Sequence, residues 1–390
     1  MISYKYEKNI INLLLLMMVF IFFSNINVSF IGIYNNFFVL LTFTIGIVFT
    51  SASFHKYKIS KNNIKLISIS SIIVILYSIG IIKNFTLGAF ITTIKITLLM
   101  MFCIFVSQLD FKNKCNFRML SIGILIYLFF YSLIIFKYGI KYVATNSFGM
   151  INTIVVYFSF LVYYNSKFNL KSKIKLIFII ILLTILSLKV SARSSILVLV
   201  ISLLVFLFWN IISKNKIIYI LFFIILILGI MLFMYLYING DEIPLFIKLN
   251  EISNTYFDKN FYSGRNIIWK NLFEYIKLKP ILGYGSGVTN EIFSNVKNST
   301  HNFYIQVLLQ VGIAGLFSWV LFFYQIWKLY YRCKEDKIIR VTASFFVGML
   351  IQNIFELTFY SNKVIIGIMQ WFIIAIGLSI VNNNYNNKEK

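Results

Sequence analysis

The sequence predicts an all-α fold, a polytopic membrane helical bundle of about twelve transmembrane helices with one large external loop between spans nine and ten. Three observations predict this class. The 390 residues are 60% hydrophobic, and only 12% are charged, about half the charged share of a soluble domain. The apolar residues form long continuous runs, whereas a β-barrel needs short alternating segments. Basic residues cluster in alternate loops between these runs, as the positive-inside rule expects.

The predicted spans follow from length, because a transmembrane helix needs about 20 apolar residues. The runs that approach this length are Ile10–Phe23, Phe30–Phe54, Leu66–Ile82, Leu87–Leu109, Met119–Phe136, Gly149–Tyr164, Leu176–Val190, Ser195–Ile212, Ile217–Ile238, Phe303–Trp327, Val341–Tyr360 and Val364–Val381. They leave no room for a soluble domain, so residues 1–390 are treated as a single integral membrane domain.

The loops predict the orientation of these spans. Lysine and arginine gather in loops on one side, which we assign to the cytoplasm: residues 5–8, 56–65, 112–118, 167–175, 214–216, 328–340 and 388–390. Nine runs precede Gly240, so residues 240–302 form a large external loop. The asparagine-rich segment 382–390 is predicted to be a disordered cytoplasmic tail. This topology also explains the formal net charge of +24, and without a compact basic domain no nucleic-acid partner is expected.

One amphipathic helix is predicted inside the external loop, near Asn266–Lys277. Its apolar residues at helical spacing are Ile267, Ile268, Leu272, Phe273 and Ile276. Pro280 ends it. The pattern leaves open whether this helix lies on the outer membrane surface or against the bundle.

The glycines that follow, Gly283, Gly285 and Gly287, do not predict a phosphate loop, because neither a preceding strand nor a following Gly-Lys-Ser/Thr is present. A tight turn that returns the loop to the membrane is the interpretation. The three cysteines are far apart, and the two histidines cannot build a zinc site alone. No metal or cofactor is therefore expected.

The polar motifs of this region occur in a fixed order along the chain. They are Ser191-Ala192-Arg193-Ser194-Ser195 at the start of a span, Gly264-Arg265 with Trp269, Pro280 with Gly283 and Gly285, His301-Asn302, and Gly312 with Gly315. Together they resemble the signature of the O-antigen polymerase and O-antigen ligase family, over roughly residues 176–316.

The resemblance implies a glycosyltransferase of the bacterial cytoplasmic (inner) membrane, with its site facing the periplasm or exterior. Its donor would be a glycan on a polyprenyl diphosphate, and its acceptor a sugar hydroxyl. Membrane lipids and a chain-length regulator are the further partners that the resemblance allows. Polymerisation of repeat units is the favoured reading. The alternatives are a ligase, which moves the finished polymer to a lipid A core, and, in a different class, a flippase for the same lipids.

Arg193 and Arg265 are the predicted catalytic and substrate-binding cations. The chain has five arginines against 31 lysines, and only these two lie in predicted external positions. A planar guanidinium matches phosphate oxygens with two parallel hydrogen bonds, which suits a lipid diphosphate leaving group. The alternative role is contact with a lipid headgroup or a carbonyl. No Asp-x-Asp pair occurs in the loop, which agrees with a metal-independent enzyme, although Asp241-Glu242 leaves this open.

His301 is the predicted catalytic base, because an imidazole ordinarily titrates near neutral pH. The alternative is an interfacial histidine that caps a helix or binds a headgroup. Asn302, Tyr304 and Lys95 are further candidates for substrate binding. Lys95 and Glu356 are charges within apolar runs, where charge is costly and often functional. Their roles stay open at this stage: Lys95 either lines the site or extends to the interface, and Glu356 either pairs with a cation or orients a substrate.

Overall fold

The computed structural model describes residues 4–22, 61–138, 145–165, 170–257, 260–293, 299–360 and 364–386, and in this part all regular secondary structure is helical, without strands. The helices are α1 (Tyr4–Phe22), α2 (Lys61–Lys83), α3 (Leu87–Val106), α4 (Phe111–Lys114), α5 (Phe117–Tyr138), α6 (Thr145–Asn165), α7 (Leu170–Lys189), α8 (Arg193–Leu207), α9 (Trp209–Ile212), α10 (Lys216–Ile238), α11 (Pro244–Phe257), α12 (Arg265–Leu278), α13 (Phe303–Tyr331), α14 (Lys337–Phe355) and α15 (Val364–Asn386). The predicted fold class, a polytopic helical bundle, is confirmed.

Eight of the described helices are long and apolar enough to cross a membrane: α2, α3, α5, α6, α10, α13, α14 and α15. Helices α1 and α7 are of similar length, 19 and 20 residues, but carry charges in their first turns. Helix α8 has 15 residues and continues into α9 after a break at Phe208. Every predicted run except Phe30–Phe54, which lies outside the described residues, overlaps a described helix, although Ser195–Ile212 is divided between α8 and α9 and the helix in Val341–Tyr360 ends at Phe355.

Helix α14 lies at the centre of the bundle and packs against α6, α8, α13 and α15. Most of its side chains are buried, as are those of α15, whereas α10 lies at the periphery with only 22% of its apolar stretch buried. Because exposed residues of α10 such as Leu228 and Leu232 are apolar, this peripheral surface suits contact with lipid.

Three loops predicted to share a side of the membrane meet at one end of the bundle. Lys112, before α5, forms an ion pair with Asp336, before α14, at 2.6 Å. Lys334 donates to the carbonyl of Ser213, beyond α9, at 2.7 Å. The two predicted external arginines lie away from these loops. Arg193 begins α8, whose other end leads into α9 and Ser213, and Arg265 begins α12 in the long loop.

Helix α13 is broken at Gly312, which has φ 66° and ψ −164°. Residues 280–287 pack into this break: Ile313 N donates to Pro280 O at 2.8 Å, and Tyr284 N donates to Leu309 O at 2.9 Å. A Cβ at position 312 would lie 2.3 Å from the carbonyl oxygen of Ile281, so only glycine fits. The glycine-rich segment is therefore a packed turn against the bundle, in agreement with its interpretation from sequence.

Two features of the loop and tail refine the sequence predictions. The predicted amphipathic helix exists as α12 and packs against α13 and α10 rather than lying free of the bundle. The segment predicted to be disordered from residue 382 differs, because α15 continues as helix to Asn386. The buried Asn382 side chain donates to Ser107 O at 2.9 Å, which attaches this end to the bundle. Residues 387–390 lie outside the described part.

Candidate active site

Arg193 is the first residue of α8 and follows the tight turn after α7. Ser191 closes this turn in a left-handed conformation, with φ 53°. The Arg193 guanidinium donates to the Ser263 hydroxyl at 3.0 Å, to the Asn260 carbonyl at 3.2 Å and to the Ser253 hydroxyl. Arg193 thereby ties the start of α8 to the long loop.

Arg265 is the first residue of α12. The two residues before it, Ser263 and Gly264, have left-handed conformations with φ 51° and 74°, which turn the chain sharply into the helix. Trp269 anchors α12 because it is fully buried and its indole N–H donates to Thr300 O at 2.9 Å. This contact brings Arg265 close to His301, the residue that follows Thr300.

Glu356 joins the parts of the site. It lies where α14 ends, in extended conformation, and its side chain is only 6% exposed. Its Oε1 lies 3.3 Å from Arg265 Nη2 and accepts a hydrogen bond from Asn146 Nδ2 at 2.8 Å. Its Oε2 lies 3.3 Å from His301 Nδ1. One carboxylate thus contacts a guanidinium, an amide and an imidazole. The sequence had indicated only that Glu356 is a charged residue within an apolar segment.

His301 contacts Glu356 through Nδ1, so its second ring nitrogen, Nε2, lies on the side of the ring away from this carboxylate. Its backbone has φ 47°, and its N–H donates to the Ser299 hydroxyl at 3.2 Å. The side chain is 34% exposed. With a proton on Nδ1 shared with Glu356, the neutral ring keeps Nε2 as an acceptor for a substrate proton.

A cavity of about 490 Å³ opens between the two arginines. Its lining residues are Asn146, Ser191, Arg193, Ser194, Leu197, Tyr237, Phe261, Ser263, Arg265 and Phe355. Hydroxyl groups, one amide and two guanidinium groups supply the polar part, and three aromatic rings and Leu197 supply the rest. Glu356 is not itself a lining residue, but its Oε1 contacts Asn146 and Arg265, which are, so the carboxylate lies beside the cavity. His301 is reached from the cavity through this carboxylate, because it contacts the other oxygen, Oε2.

The electrostatic character of the cavity is positive. Helices α8 and α12 both begin at it, neither has a side-chain cap on its first amides, and each begins with arginine. A cation at a helix N-terminus opposes the helix dipole, and the charges of Arg193 and Arg265 also repel each other. The Glu356 carboxylate offsets part of the charge of Arg265, and a bound anion would relieve what remains of both penalties, so the arrangement is suited to bind one.

Backbone strain concentrates at the same place. The non-glycine residues with positive φ in the described part of the chain are Ser191, Ser263 and His301. Each such conformation costs of order 1–3 kcal/mol and persists where the surrounding structure enforces it. All three lie within two residues of a predicted site residue or are one, which is a signal that sequence alone does not carry.

Asn302 and Tyr304 use their side chains within the fold. Asn302 is fully buried and caps α13, because its Oδ1 accepts from Ile305 N at 2.9 Å. Tyr304 is also fully buried, and its hydroxyl donates to Leu350 O at 2.8 Å. Their contacts support the position of His301 rather than the surface of the cavity.

Lys95 lies apart from these groups. It is half-buried in the middle of α3, a helix that packs mainly against α2 and α15, and it is not among the cavity-lining residues. Its role in substrate binding stays a prediction. Among the described residues, no three His, Cys, Asp or Glu side chains form a group that would hold a metal ion.

The fold and this site define a helical membrane protein with a cavity between two arginines, one of which pairs with a glutamate that also contacts a histidine. Comparison with protein-family models gives a specific match: residues 176–320 match the O-antigen ligase family. The match is shorter than half of the chain, and it includes Arg193, Arg265 and His301. The resemblance to this family that the motifs indicated is thereby confirmed. A search of curated proteins found no match.

Proposed function

We propose that this chain is a membrane glycosyltransferase that moves a glycan from a polyprenyl diphosphate to a hydroxyl group of an acceptor glycan. The observation that carries the proposal is the position of Glu356 between His301 and Arg265, the second of which lines a cavity together with Arg193. The similarity of residues 176–320 to the O-antigen ligase family supports the same reaction class.

In this proposal the cavity binds the donor through its diphosphate. Arg193 and Arg265 approach it from two helices, and the first amides of α8 and α12 add hydrogen-bond donors. The volume of about 490 Å³ is large enough for a diphosphate and the sugar attached to it. Ser194 and Asn146 supply a hydroxyl and an amide that suit sugar hydroxyls. The polyprenyl chain would remain in the surrounding lipid.

The reaction is a substitution at the anomeric carbon of the donor sugar. The acceptor oxygen forms a bond to that carbon while the bond to the diphosphate oxygen breaks, and its electron pair leaves with the diphosphate. His301 Nε2 takes the proton of the acceptor hydroxyl. Glu356 holds the imidazole by Nδ1 and stabilises the imidazolium that forms, as the carboxylate does in serine hydrolases. The two arginines stabilise the charge that develops on the leaving group, and no metal is required in this scheme.

We propose polymerisation of lipid-linked repeat units on the outer side of the bacterial inner membrane as the biological reaction. The external assignment of residues 240–302 by the positive-inside rule supports this side. The ligase reaction is the second candidate, because the matching family is described as O-antigen ligase. Both reactions use the same donor chemistry and differ in the acceptor.

The first experiment replaces Glu356 by glutamine, which keeps the shape of the side chain but removes its charge. We expect glycan transfer to fall by about 10²-fold or more, in the range that acid–base groups contribute, while donor binding is retained. Glu274→Gln is the matched control, since Glu274 is exposed on α12 and pairs only with Lys277 among its described contacts. Transfer by Glu356→Gln at the parental rate would refute the glutamate–histidine pair.

The second experiment uses His301→Ala in cells and distinguishes the candidate functions. A polymerase would leave single repeat units that still reach their final acceptor. A ligase would leave long polymers on the polyprenyl carrier, and a flippase would leave unpolymerised units on the cytoplasmic face, protected from an external glycosidase. Gel separation of surface glycan and extraction of the lipid-linked pool give the answer. Normal, fully transferred polymer would exclude His301 as an essential base.

A further inference from the structure

The chain that follows Glu356 is held by buried polar side chains from two helices. The predicted span Val341–Tyr360 does not run through as one helix, because α14 ends at Phe355 and residues 356–360 turn away from it. This turn carries the glutamate that contacts Arg265 and His301. The position of its carboxylate therefore depends on what holds the turn.

Asn353, in the last turn of α14, binds the backbone of residues 356–360. It is fully buried, and its Oδ1 accepts from the backbone N–H groups of Thr358 at 3.2 Å and Phe359 at 3.4 Å. Its Nδ2 donates back to Met349 O at 2.8 Å. One side chain thus connects the last turns of α14 to the backbone two and three residues beyond Glu356.

Helix α15 holds the same turn from the side. The Thr358 hydroxyl donates to Gln370 Oε1 at 2.9 Å, and Gln370 Nε2 donates to Gln352 Oε1 at 2.9 Å. Close approach is possible because Gly367 faces the turn: a Cβ there would lie 2.5 Å from Thr358 O. These side chains link α14, the turn and α15 in a continuous chain of hydrogen bonds.

Such a network is costly in a membrane-spanning bundle unless it serves a purpose. Gln370, Gln352 and Asn353 are buried amides within helices that are long enough to span a membrane, where polar side chains are rare and commonly functional. None of the three is among the residues that line the cavity. Well-packed apolar residues would suffice to join two helices, so the polar network is explained by the turn that it holds.

We propose that Asn353, Thr358 and Gln370 are positioning residues that hold the Glu356 carboxylate against Arg265 and His301. The proposal rests on the proposed function, in which that carboxylate orients the base. A displacement of about 1 Å in a catalytic group can cost on the order of 10²-fold in rate, so loosening the turn should be visible in turnover before it is visible in substrate binding.

The test compares Thr358→Val with Thr358→Ser. Valine keeps the size of threonine but removes the hydroxyl, whereas serine keeps the hydroxyl but removes a methyl group. We expect Thr358→Val to lower kcat about tenfold with little change in the KM for the lipid-linked donor, and Thr358→Ser to retain most of the turnover. Thr97→Val controls for removal of a hydroxyl elsewhere, since Thr97 donates only to Thr93 O among its described contacts.

A double-mutant cycle that combines Thr358→Val with Glu356→Gln shows whether the hydrogen-bond network acts through the Glu356 carboxylate. If it does, Thr358→Val should cause no further fall in kcat when Glu356 is already glutamine. Losses in kcat that multiply independently would overturn the proposal, as would a larger loss from Thr358→Ser than from Thr358→Val.

Two further outcomes separate this inference from the proposed function. If Glu356→Gln is inactive while Thr358→Val transfers glycan at the parental rate, the role of the network is refuted and the role of Glu356 is not. Parental transfer by Glu356→Gln would refute the proposed function, and the inference with it. Thermal unfolding of each purified variant in detergent identifies losses that come from misfolding.

Discussion

Replacing Arg193 or Arg265 by lysine tests the role of the planar guanidinium, because the positive charge is kept and only the fork of donors is lost. In the structure Arg193 uses Nη1 for Ser253 and Nη2 for Ser263 and the Asn260 carbonyl. A single ammonium cannot occupy both directions at once. A bound diphosphate would replace some of these protein acceptors, and the same two nitrogens would then donate to two phosphate oxygens.

The expected loss follows from the hydrogen bonds that lysine cannot replace. A hydrogen bond to a charged group contributes about 1.5–3 kcal/mol, and about 1.4 kcal/mol corresponds to a tenfold change. Losing one such bond to the leaving group should therefore lower kcat/KM about 10- to 100-fold for each variant. If charge develops on the diphosphate in the transition state, most of the loss should appear in kcat.

The assay measures glycan transfer in membranes supplied with the lipid-linked donor, with the amount of each variant determined in the same membranes. Arg118→Lys is the control, since Arg118 is exposed near the start of α5, in a basic loop that meets the opposite end of the bundle. Transfer within twofold of the parental rate by both Arg193→Lys and Arg265→Lys, at normal protein levels, would show that neither fork contacts the leaving group.

Two further predictions concern the fold and its orientation. Gly312→Ala should lower the unfolding temperature measurably, because its Cβ would meet Ile281 O at 2.3 Å and its φ is 66°, whereas Gly229→Ala has open space around it and should be tolerated; equal unfolding temperatures would contradict the packed break in α13. Reporter fusions after Lys259 should be read outside the cytoplasm and fusions after Lys334 inside it, and a cytoplasmic signal at Lys259 would overturn the topology and the proposed side of the reaction.

The helices could be predicted from the sequence because their cause is local. Each described span matches an apolar run, since a backbone surrounded by hydrocarbon must satisfy its hydrogen bonds within the helix. The period of apolar residues likewise predicted α12. The face that α12 buries differs in detail, because Asn266 is buried beside Trp269, Leu272 and Ile276, while Ile267 is 62% exposed. Packing against the bundle, rather than hydrophobicity alone, selects that face.

The candidate site was only partly accessible to the same reasoning. Arg193, Arg265 and His301 could be selected because arginine and histidine are rare in this chain and occur with recognisable neighbours. The sequence could not indicate that Glu356 contacts His301 and Arg265, because these partners are 55 and 91 residues away. For the same reason it could not indicate that Asn146, 210 residues away, contacts the same carboxylate. Asn302 and Tyr304 show the converse: they stand beside His301 in sequence, yet their side chains point into the fold.

The sequence by itself determined the membrane class, the helical segments, the glycine-rich turn and the choice of Arg193, Arg265 and His301 as candidates, because these depend on local composition and on the chemistry of single side chains. Only the tertiary structure decided how charge is arranged. It brings the N-termini of α8 and α12, each of which begins with an arginine, to one cavity. It also ends α14 just before Glu356 and places the Glu356 carboxylate between Arg265 and His301. Distances between atoms from remote segments arise from the packing of the whole bundle, and no local pattern records them.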